Sequence, residues 1–278
     1  MNAHRGDTRI REPGAKAPAV VTELRGGVLM VTLNRPEALN AMNPDMTKSL
    51  RAILADAAAD PDVRALLVTG AGRAFCAGGD VKMMAAQVGR RSPNEVRRKI
   101  REHTGPVILA LATIEKPVVA AVNGIAYGGG FSMALACDLI LAARSARFAQ
   151  VFVTRGLAPD TGSSWFLPRL VGPWRARELL FRGEPLDAET AHRLGFVSRV
   201  CDDVTLIDEA LELATSLAAG PTMAIGMIKT LVSQGLGSDL AAAINAEADA
   251  QAICMESEDF REGLRALREK RPPNFSGR

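Results

Sequence analysis

Two features of this sequence predict an α/β fold. Up to about residue 202, short β-branched runs alternate with segments of helical period, a repeated strand-then-helix order that calls for crossover connections. From Asp203 onward nearly every segment carries helical spacing, so a helical region follows the α/β part. This divides the chain into a tail over residues 1–18, a core over 19–202 and a helical region over 203–278. No internal repeat of fixed period stands out.

Each element has a local reason. The opening MNAHRGDTRIREPGAKAP is charged and contains proline and glycine without an apolar core, which predicts a disordered tail and no signal peptide. AVVTEL and VLMVTLN flank Arg25-Gly26-Gly27, two β-rich runs around a glycine turn, hence a hairpin beginning near Ala19. Asn43 followed by Pro44 is a helix start, and Met46, Leu50, Ile53, Leu54 and Ala57 then recur on one face up to Asp60-Pro61. Residues 63–70 read as a buried strand that feeds AGRAFCAGGD, after which VKMMAAQ has helical character. Ser92-Pro93 opens a long helical region to about Ile114, with a kink expected at Gly105-Pro106. Further on, DLILAA and RFAQVFV read as strands, and residues 154–164 as a turn-rich loop carrying one carboxylate, Asp160. Helices are expected near residues 164–171, 174–182 and 187–194, then a strand-like FVSRVC, then the helical region.

The chain is organised around KPVVAAVNGIAYGGGFSMALAC, residues 116–137. A β-branched run ends at the turn dipeptide Asn123-Gly124, and Gly128, Gly129 and Gly130 then lead into a short apolar helix. Two readings stand. Glycines at a helix start leave unpartnered amides open to a negative oxygen, or they let helix and strand backbones pack closely. The stretch fits neither GxGxxG nor GxxxxGK[ST], which argues against dinucleotide and Walker-type phosphate sites. Residues 117–137 are uncharged over a length that would span a bilayer, but Asn123, the glycines and the turn favour a buried strand, turn and helix.

Composition narrows the function classes. With 278 residues, 47% hydrophobic and 23% charged, the chain has the make-up of a globular protein with a sizeable core. A net charge of +3 without a long basic run gives no argument for nucleic acid. Cys76, Cys137, Cys201 and Cys254 are dispersed, as are His4, His103 and His192, so no metal site is expected and a reduced, cytoplasmic setting is.

AFCAGGD at residues 74–80 and NGIAYGGG at 123–130, the latter followed by CDLILA, resemble the AFxAGxD and NGxAxGGG…CD motifs of the enoyl-CoA hydratase/isomerase (crotonase) family. NRPEALNAM at 34–42, LPRLVG at 167–172 and EDFREGLRALREKRPPNF near the end support the match, which covers about residues 20–275. The resemblance implies a spiral of ββα units, and a helical C-terminal region that makes a homotrimer or a dimer of trimers. It also implies an acyl-CoA thioester substrate with no separate cofactor, since coenzyme A is part of the substrate. The family's thioester oxygen is held by two backbone N–H groups, whose matches here are Gly79 and Gly129. Its carrier-binding loop matches Ala77, Gly78, Asp80, Val81 and Lys82, with Ala38 nearby. Lys82 is either an aid to phosphate binding or a solvated helix residue, and Phe260 and Lys270 are expected to approach the adenine from a neighbouring subunit.

The family's hydratases use two glutamates, and the matching positions here hold Ser132 and Phe152. Hydration needs a water deprotonated while a proton reaches the α-carbon, a task this pair cannot share. Asp160, in GLAPDTG, resembles the aspartate of family isomerases, including those acting in phenylacetate degradation. One carboxylate suffices for an allylic shift, although an Asp before Thr-Gly is also a common turn or cap residue. The expectation is therefore an enoyl-CoA isomerase with Asp160 as acid and base. The alternatives are a hydratase with an atypical water site, and an inactive CoA-thioester or RNA-binding homologue. Dehalogenation would need a histidine base that His103 does not supply by position. Trp165 and Phe166 line either the acyl pocket or the core, and Cys76 reads as small buried packing.

Overall fold

The structure, a computed structural model, describes residues 17–278, and the expected tail falls almost wholly outside them. At the described end, the Pro18 carbonyl accepts a hydrogen bond from Asn34 Nδ2 (3.0 Å). The hairpin follows as expected: β1 (Val20–Arg25) pairs antiparallel with β2 (Val28–Leu33) around Gly26 and Gly27, both at positive φ. α1 (Pro44–Ala59) starts at Asn43, whose side chain accepts from the Met46 amide, and buries Met46, Leu50, Leu54 and Ala57.

β3 (Ala65–Gly70) runs parallel to β2 and is buried along its whole length. β5 (Val118–Val122), β7 (Leu139–Ala143) and β10 (Arg199–Cys201) extend the same sheet in parallel, giving the order β1-β2-β3-β5-β7-β10. A strand with neighbours on both edges and layers on both faces needs apolar residues throughout, which explains the unalternating VVAAV and ALLVTG. α8 (Leu206–Ala218) covers this sheet through Leu206, Ala210, Ala214 and Ala218.

A second sheet joins β4 (Ala74–Cys76), β6 (Ile125–Tyr127), β8 (Arg147–Ala149) and β9 (Leu186–Asp187) in that order. Each of β3, β5 and β7 runs into one of its strands and then into helix, which is the expected ββα spiral. β4 and β6 are only three residues long, too short to show a period, and they sit where the sequence signals turns and glycines. RFAQVFV corrects the expectation the other way. Only its first three residues are strand, because β9 offers β8 just two partners; Val153–Arg155 coil into a 3₁₀ turn ending at Gly156 in the left-handed region.

α2 (Val81–Ala85) is shorter than VKMMAAQ suggests, with Ala86 as its cap. α3 (Pro93–Lys99) opens with a reciprocal Ser92/Glu95 capping box. At Gly105-Pro106, where the sequence suggests a kink, a π-helical turn over Ile100–Thr104 leads into α4 (Gly105–Thr113), with Thr104 and Gly105 both at helical φ and ψ. Pro106 has no N–H for the Glu102 carbonyl, and the Arg51 guanidinium donates to that carbonyl instead (3.0 Å).

α5 (Gly129–Leu135) is buried throughout, and Phe131 on it meets Phe148 of β8 and Phe196, with ring centroids 5.2–5.6 Å apart. The strand-turn-helix expectation for residues 117–137 thus resolves into β5, β6 and α5. Among the described residues no helix is long and apolar enough to cross a membrane by itself.

α6 (Ser163–Arg182) breaks at Gly172, between the two helical segments the sequence predicts. α7 (Ala188–Arg193) is N-capped by Asp187. α9 (Thr222–Gly235), α10 (Leu240–Met255) and α11 (Glu258–Glu269) complete the chain. α10 buries no residue, and Ile228, Val232, Leu236, Leu240 and Ile244 on and between α9 and α10 are exposed. The last residues fold back: Asp259 accepts from the Ser276 and Gly277 amides (2.6 and 2.9 Å), and Arg64 donates to the Gly220 and Phe275 carbonyls.

Candidate active site

Two glycine loops meet at one edge of the small sheet. After β4, the Ala77 amide donates to the Leu39 carbonyl (2.9 Å), and the Met42 amide donates to the Gly78 carbonyl (2.7 Å). The Asp80 amide donates back to Met42 O (3.2 Å), closing a bridge between Met42 and Gly79. Leu39 and Asn40 both adopt left-handed φ, and the wholly buried Asn40 side chain secures that bend by donating to the Ala71 and Ala74 carbonyls. Ala77 is thereby tied to Leu39, the residue that follows Ala38. Among the described residues, the Gly79 amide donates to no backbone or side-chain group.

The second loop is the triple glycine. Gly128 (φ 53°, ψ −120°) donates to the Ala149 carbonyl and sits ahead of α5, whose first residue is Gly129. The Gly129 amide, like that of Gly79, finds no acceptor among the described residues, as the first amide of a helix does not. The close-packing reading of the glycines holds at two positions. A Cβ on Gly130 would stand 2.1 Å from the Cys76 carbonyl oxygen, and one on Gly78 2.7 Å from that of Tyr127, so these two permit close packing. The same Gly78 position lies 3.4 Å from the Gly129 nitrogen, which puts the two loops back to back. Met84 Sδ lies 3.3 Å from the Cβ position of Gly79, and Met42 Cε 2.5 Å from that of Gly129.

Asp160 is half-buried on the loop before α6. Burial pushes its carboxyl above the ordinary carboxylate range, against the opposing pull of the Thr161 hydroxyl and the Lys99 ammonium. Thr161 Oγ1 donates to Asp160 Oδ1 (3.1 Å) and lies 3.5 Å from the Cβ position of Gly129, so one side chain joins the carboxylate to the glycine loop. Ser163 donates its amide and its hydroxyl to the Asp160 carbonyl (3.3 and 2.9 Å), and its hydroxyl meets that of Ser132 at 2.9 Å. Phe152 packs its ring against Gly128, Cζ standing 3.6 Å from the Cβ position there, and Phe166 packs against Gly162. Trp165 is partly exposed, stacked on Arg169 and edge-on to Phe166.

The other singled-out residues fall into place around this cluster or away from it. Asp80 caps α2; burial alone would raise its carboxyl, but the Met83 amide and the Arg35 guanidinium (Nη2 to Oδ2, 3.0 Å) hold it below the usual range. Val81 and Lys82 are exposed on α2 beside it. Phe260 sits in the first turn of α11, its amide held by Ser257 Oγ, and Lys270 caps the other end in the left-handed region. Cys76 is wholly buried, with burial pushing its thiol up to about 11, the state of an unreactive packing residue. His103 is exposed in the π-turn, and His192 bonds the Val197 carbonyl. Among the described residues no group of three His, Cys, Asp or Glu could hold a metal ion.

Sequence reasoning missed Thr161, Ser163 and Lys99. Lys99 ends the basic run Arg97-Arg98-Lys99, where no pattern separates the half-buried member from the solvated ones. Thr161 occupies the left-handed region, φ +54°, which is rare for a β-branched residue and is announced by nothing in Asp-Thr-Gly.

The sequence model of the family described as Enoyl-CoA hydratase/isomerase matches residues 23–278. The 1,2-epoxyphenylacetyl-CoA isomerase of Escherichia coli (strain K12) is 40% identical over 259 residues, 93% of this chain and 98% of the relative. The short-chain-enoyl-CoA hydratase of Clostridium acetobutylicum is 35% identical over 91% of this chain and 95% of its own length. The crystal structure of an enoyl-CoA hydratase from Polaromonas sp. JS666 superposes with a TM-score of 0.88 at 35% identity, covering 92% of this chain and 99% of that one.

Proposed function

The chain belongs to the enoyl-CoA hydratase/isomerase family, and on that premise we propose that it shifts a double bond in an enoyl-CoA thioester, with Asp160 as both base and acid. The observation that carries this reading is that Thr161 joins one raised carboxylate, Asp160, to Gly129, whose amide, like that of Gly79 on the adjoining loop, is unpartnered among the described residues. The positions where the family's hydratases carry glutamates hold a hydroxyl tied into a buried pair, Ser132, and an aromatic ring, Phe152.

The thioester oxygen accepts from the Gly79 and Gly129 amides. Those donors stabilise the negative charge that develops when Asp160 removes the α-proton of a 3-enoyl ester, and loss of one such donor typically slows a reaction by about 10²–10³-fold. The dienolate is reprotonated at the far carbon by the same carboxyl group, giving the 2-enoyl ester. A carboxylate raised by burial is a stronger base than an exposed one, which suits removal of a carbon acid. Phe152 and the two methionines beside the glycines offer the acyl chain an apolar wall.

Ala38 and Ala77 hold the nucleotide end through their backbones in this reading, joined by Gly78, Asp80, Val81 and Lys82, with Phe260 and Lys270 reaching it from a neighbouring subunit. The exposed apolar residues of α9 and α10 supply the surface for a homotrimer or a dimer of trimers. The Escherichia coli relative is named an isomerase of a CoA thioester, which supports isomerisation as the reaction class although its named substrate is an epoxide, while the hydratase name of the Clostridium acetobutylicum relative marks the alternative. Product analysis separates them. Purified protein given a 3-enoyl-CoA should yield the 2-enoyl ester, and given a 2-enoyl-CoA in water should yield no rapid 3-hydroxyacyl-CoA. Rapid hydration overturns the isomerase reading.

A further inference from the structure

Ser132 and Ser163 are both wholly buried, and each closes a loop of the candidate site onto its own helix. The Ser132 amide and hydroxyl reach the Gly128 carbonyl at 3.0 and 3.2 Å; the Ser163 amide and hydroxyl reach the Asp160 carbonyl at 3.3 and 2.9 Å. The two hydroxyls meet at 2.9 Å between α5 and α6. We propose that this hydroxyl pair is a positioning tie, which fixes the Asp160 carboxylate relative to the Gly129 amide and so sets the rate of the proton transfer; the inference rests on the isomerase reading above.

The hydrogen-bond count favours such a role. Each hydroxyl has one proton, and the three hydroxyl contacts need three, so the pair covers two of them at a time. Neither carbonyl depends on it, since each already receives the amide of the same serine. Two hydroxyls withdrawn wholly from water are costly unless paired. What the pair adds to the two helices is therefore the link between them.

The loop it secures needs securing. Thr161 and Gly162 stand at φ +54° and +84°, a conformation that a free Asp-Thr-Gly segment leaves readily. That conformation turns Thr161 Oγ1 toward the carboxylate, against Gly129. Without the Ser132 contact, Ser163 and the Asp160 carbonyl it holds are free to shift toward α6, and a displacement of about 1 Å at the reacting group costs on the order of 10²-fold in rate.

Ser132→Ala, Ser163→Ala and the double variant, each made with and without Asp160→Asn, test the tie by steady-state kinetics on a 3-enoyl-CoA. Each single change should lower kcat by about tenfold or more with KM within about twofold, and the double variant should be no slower than the slower single one. On the Asp160→Asn background none of the three should slow the residual rate further. Unchanged kcat in both single variants, multiplying effects in the double variant, or an undiminished drop in the absence of the Asp160 carboxylate would each overturn the proposal. If an alanine variant fails to fold by circular dichroism, the corresponding Ser→Cys change, which keeps the volume and weakens the donor, is judged by the same criteria. Failure of the underlying reading shows separately, as Asp160→Asn running at the wild-type rate, and removes the tie's purpose with it.

Discussion

Thr161 donates its hydroxyl to Asp160 Oδ1 over 3.1 Å from a backbone held at φ +54°. The same hydroxyl stands 3.5 Å from the Cβ position of Gly129, so the carboxylate and the unpartnered amide share one neighbour. Sheet, helix and loop converge here: β6 delivers the glycines, α6 anchors the Asp160 loop, and Thr161 spans the gap.

The Thr161 hydroxyl and the Lys99 ammonium both pull the Asp160 carboxyl down, against the burial that raises it. Removing either favours the protonated form, so the acid limb of the kcat/KM profile should move to higher pH in Thr161→Val and in Lys99→Met. Thr161→Val should move it further, as the nearer of the two influences. A limb that stays in place in both variants would mean that another group governs it.

Asp160→Asn should stabilise the fold at neutral pH while removing activity. The folded-state pKa of this acid is raised, so the native state holds its proton more tightly than the unfolded chain, and stability falls as pH rises through that interval. The cost of the buried charge is absent below the ordinary carboxylate pKa of 3.8 and fully present above the raised value. Thermal unfolding at pH 7 should show a higher midpoint for the variant, and at pH 3 the two proteins should coincide.

Gly129→Ala and Gly130→Ala should fail differently. A methyl on Gly129 meets the flexible end of Met42, which can give way, so the variant folds but crowds the proposed oxyanion site and should lose about 10²–10³-fold in kcat. A methyl on Gly130 meets the Cys76 carbonyl at 2.1 Å, backbone that has nowhere to go, and the expected result is loss of soluble folded protein. Expression yield and circular dichroism distinguish the two.

Glu262 fastens the C-terminal segment, accepting from Arg265, from Arg271 (2.6 Å) and from the Asn274 amide (2.9 Å). The Arg271 guanidinium, with those other donors, holds its carboxyl far below the usual range. A depressed acid stabilises the fold above its unfolded pKa, and that contribution is lost only as pH falls through the folded value. Glu262→Gln should therefore unfold at a lower temperature at pH 7, with faster tryptic cleavage after Lys270, the bond after Arg271 being blocked by Pro272.

Much of the candidate site was legible in the sequence because its signals are local. Gly79 and Gly129 stand out as glycines between a strand and a helix, and Asn43, Ser92 and Asp187 cap the helices they announce. What escaped depends on contacts between distant segments. Three-residue strands such as β4 and β6 exist because the neighbouring chain pairs with them, and Thr161 holds a left-handed backbone because Asp160, Ser163 and Gly129 surround it. The Glu102 carbonyl in the π-turn at Ile100–Thr104 is likewise met from afar, by Arg51 on α1.

The most direct measurement is the initial rate of 3-enoyl-CoA conversion by the wild-type protein and by Asp160→Asn, with the 2-enoyl and 3-hydroxyacyl esters quantified in the same samples. A single-carboxylate shuttle predicts conversion to the 2-enoyl ester that falls by on the order of 10³-fold or more in the variant, with no 3-hydroxyacyl ester in either. Formation of 3-hydroxyacyl-CoA that survives in Asp160→Asn would contradict it, and would place water activation on groups other than this carboxylate.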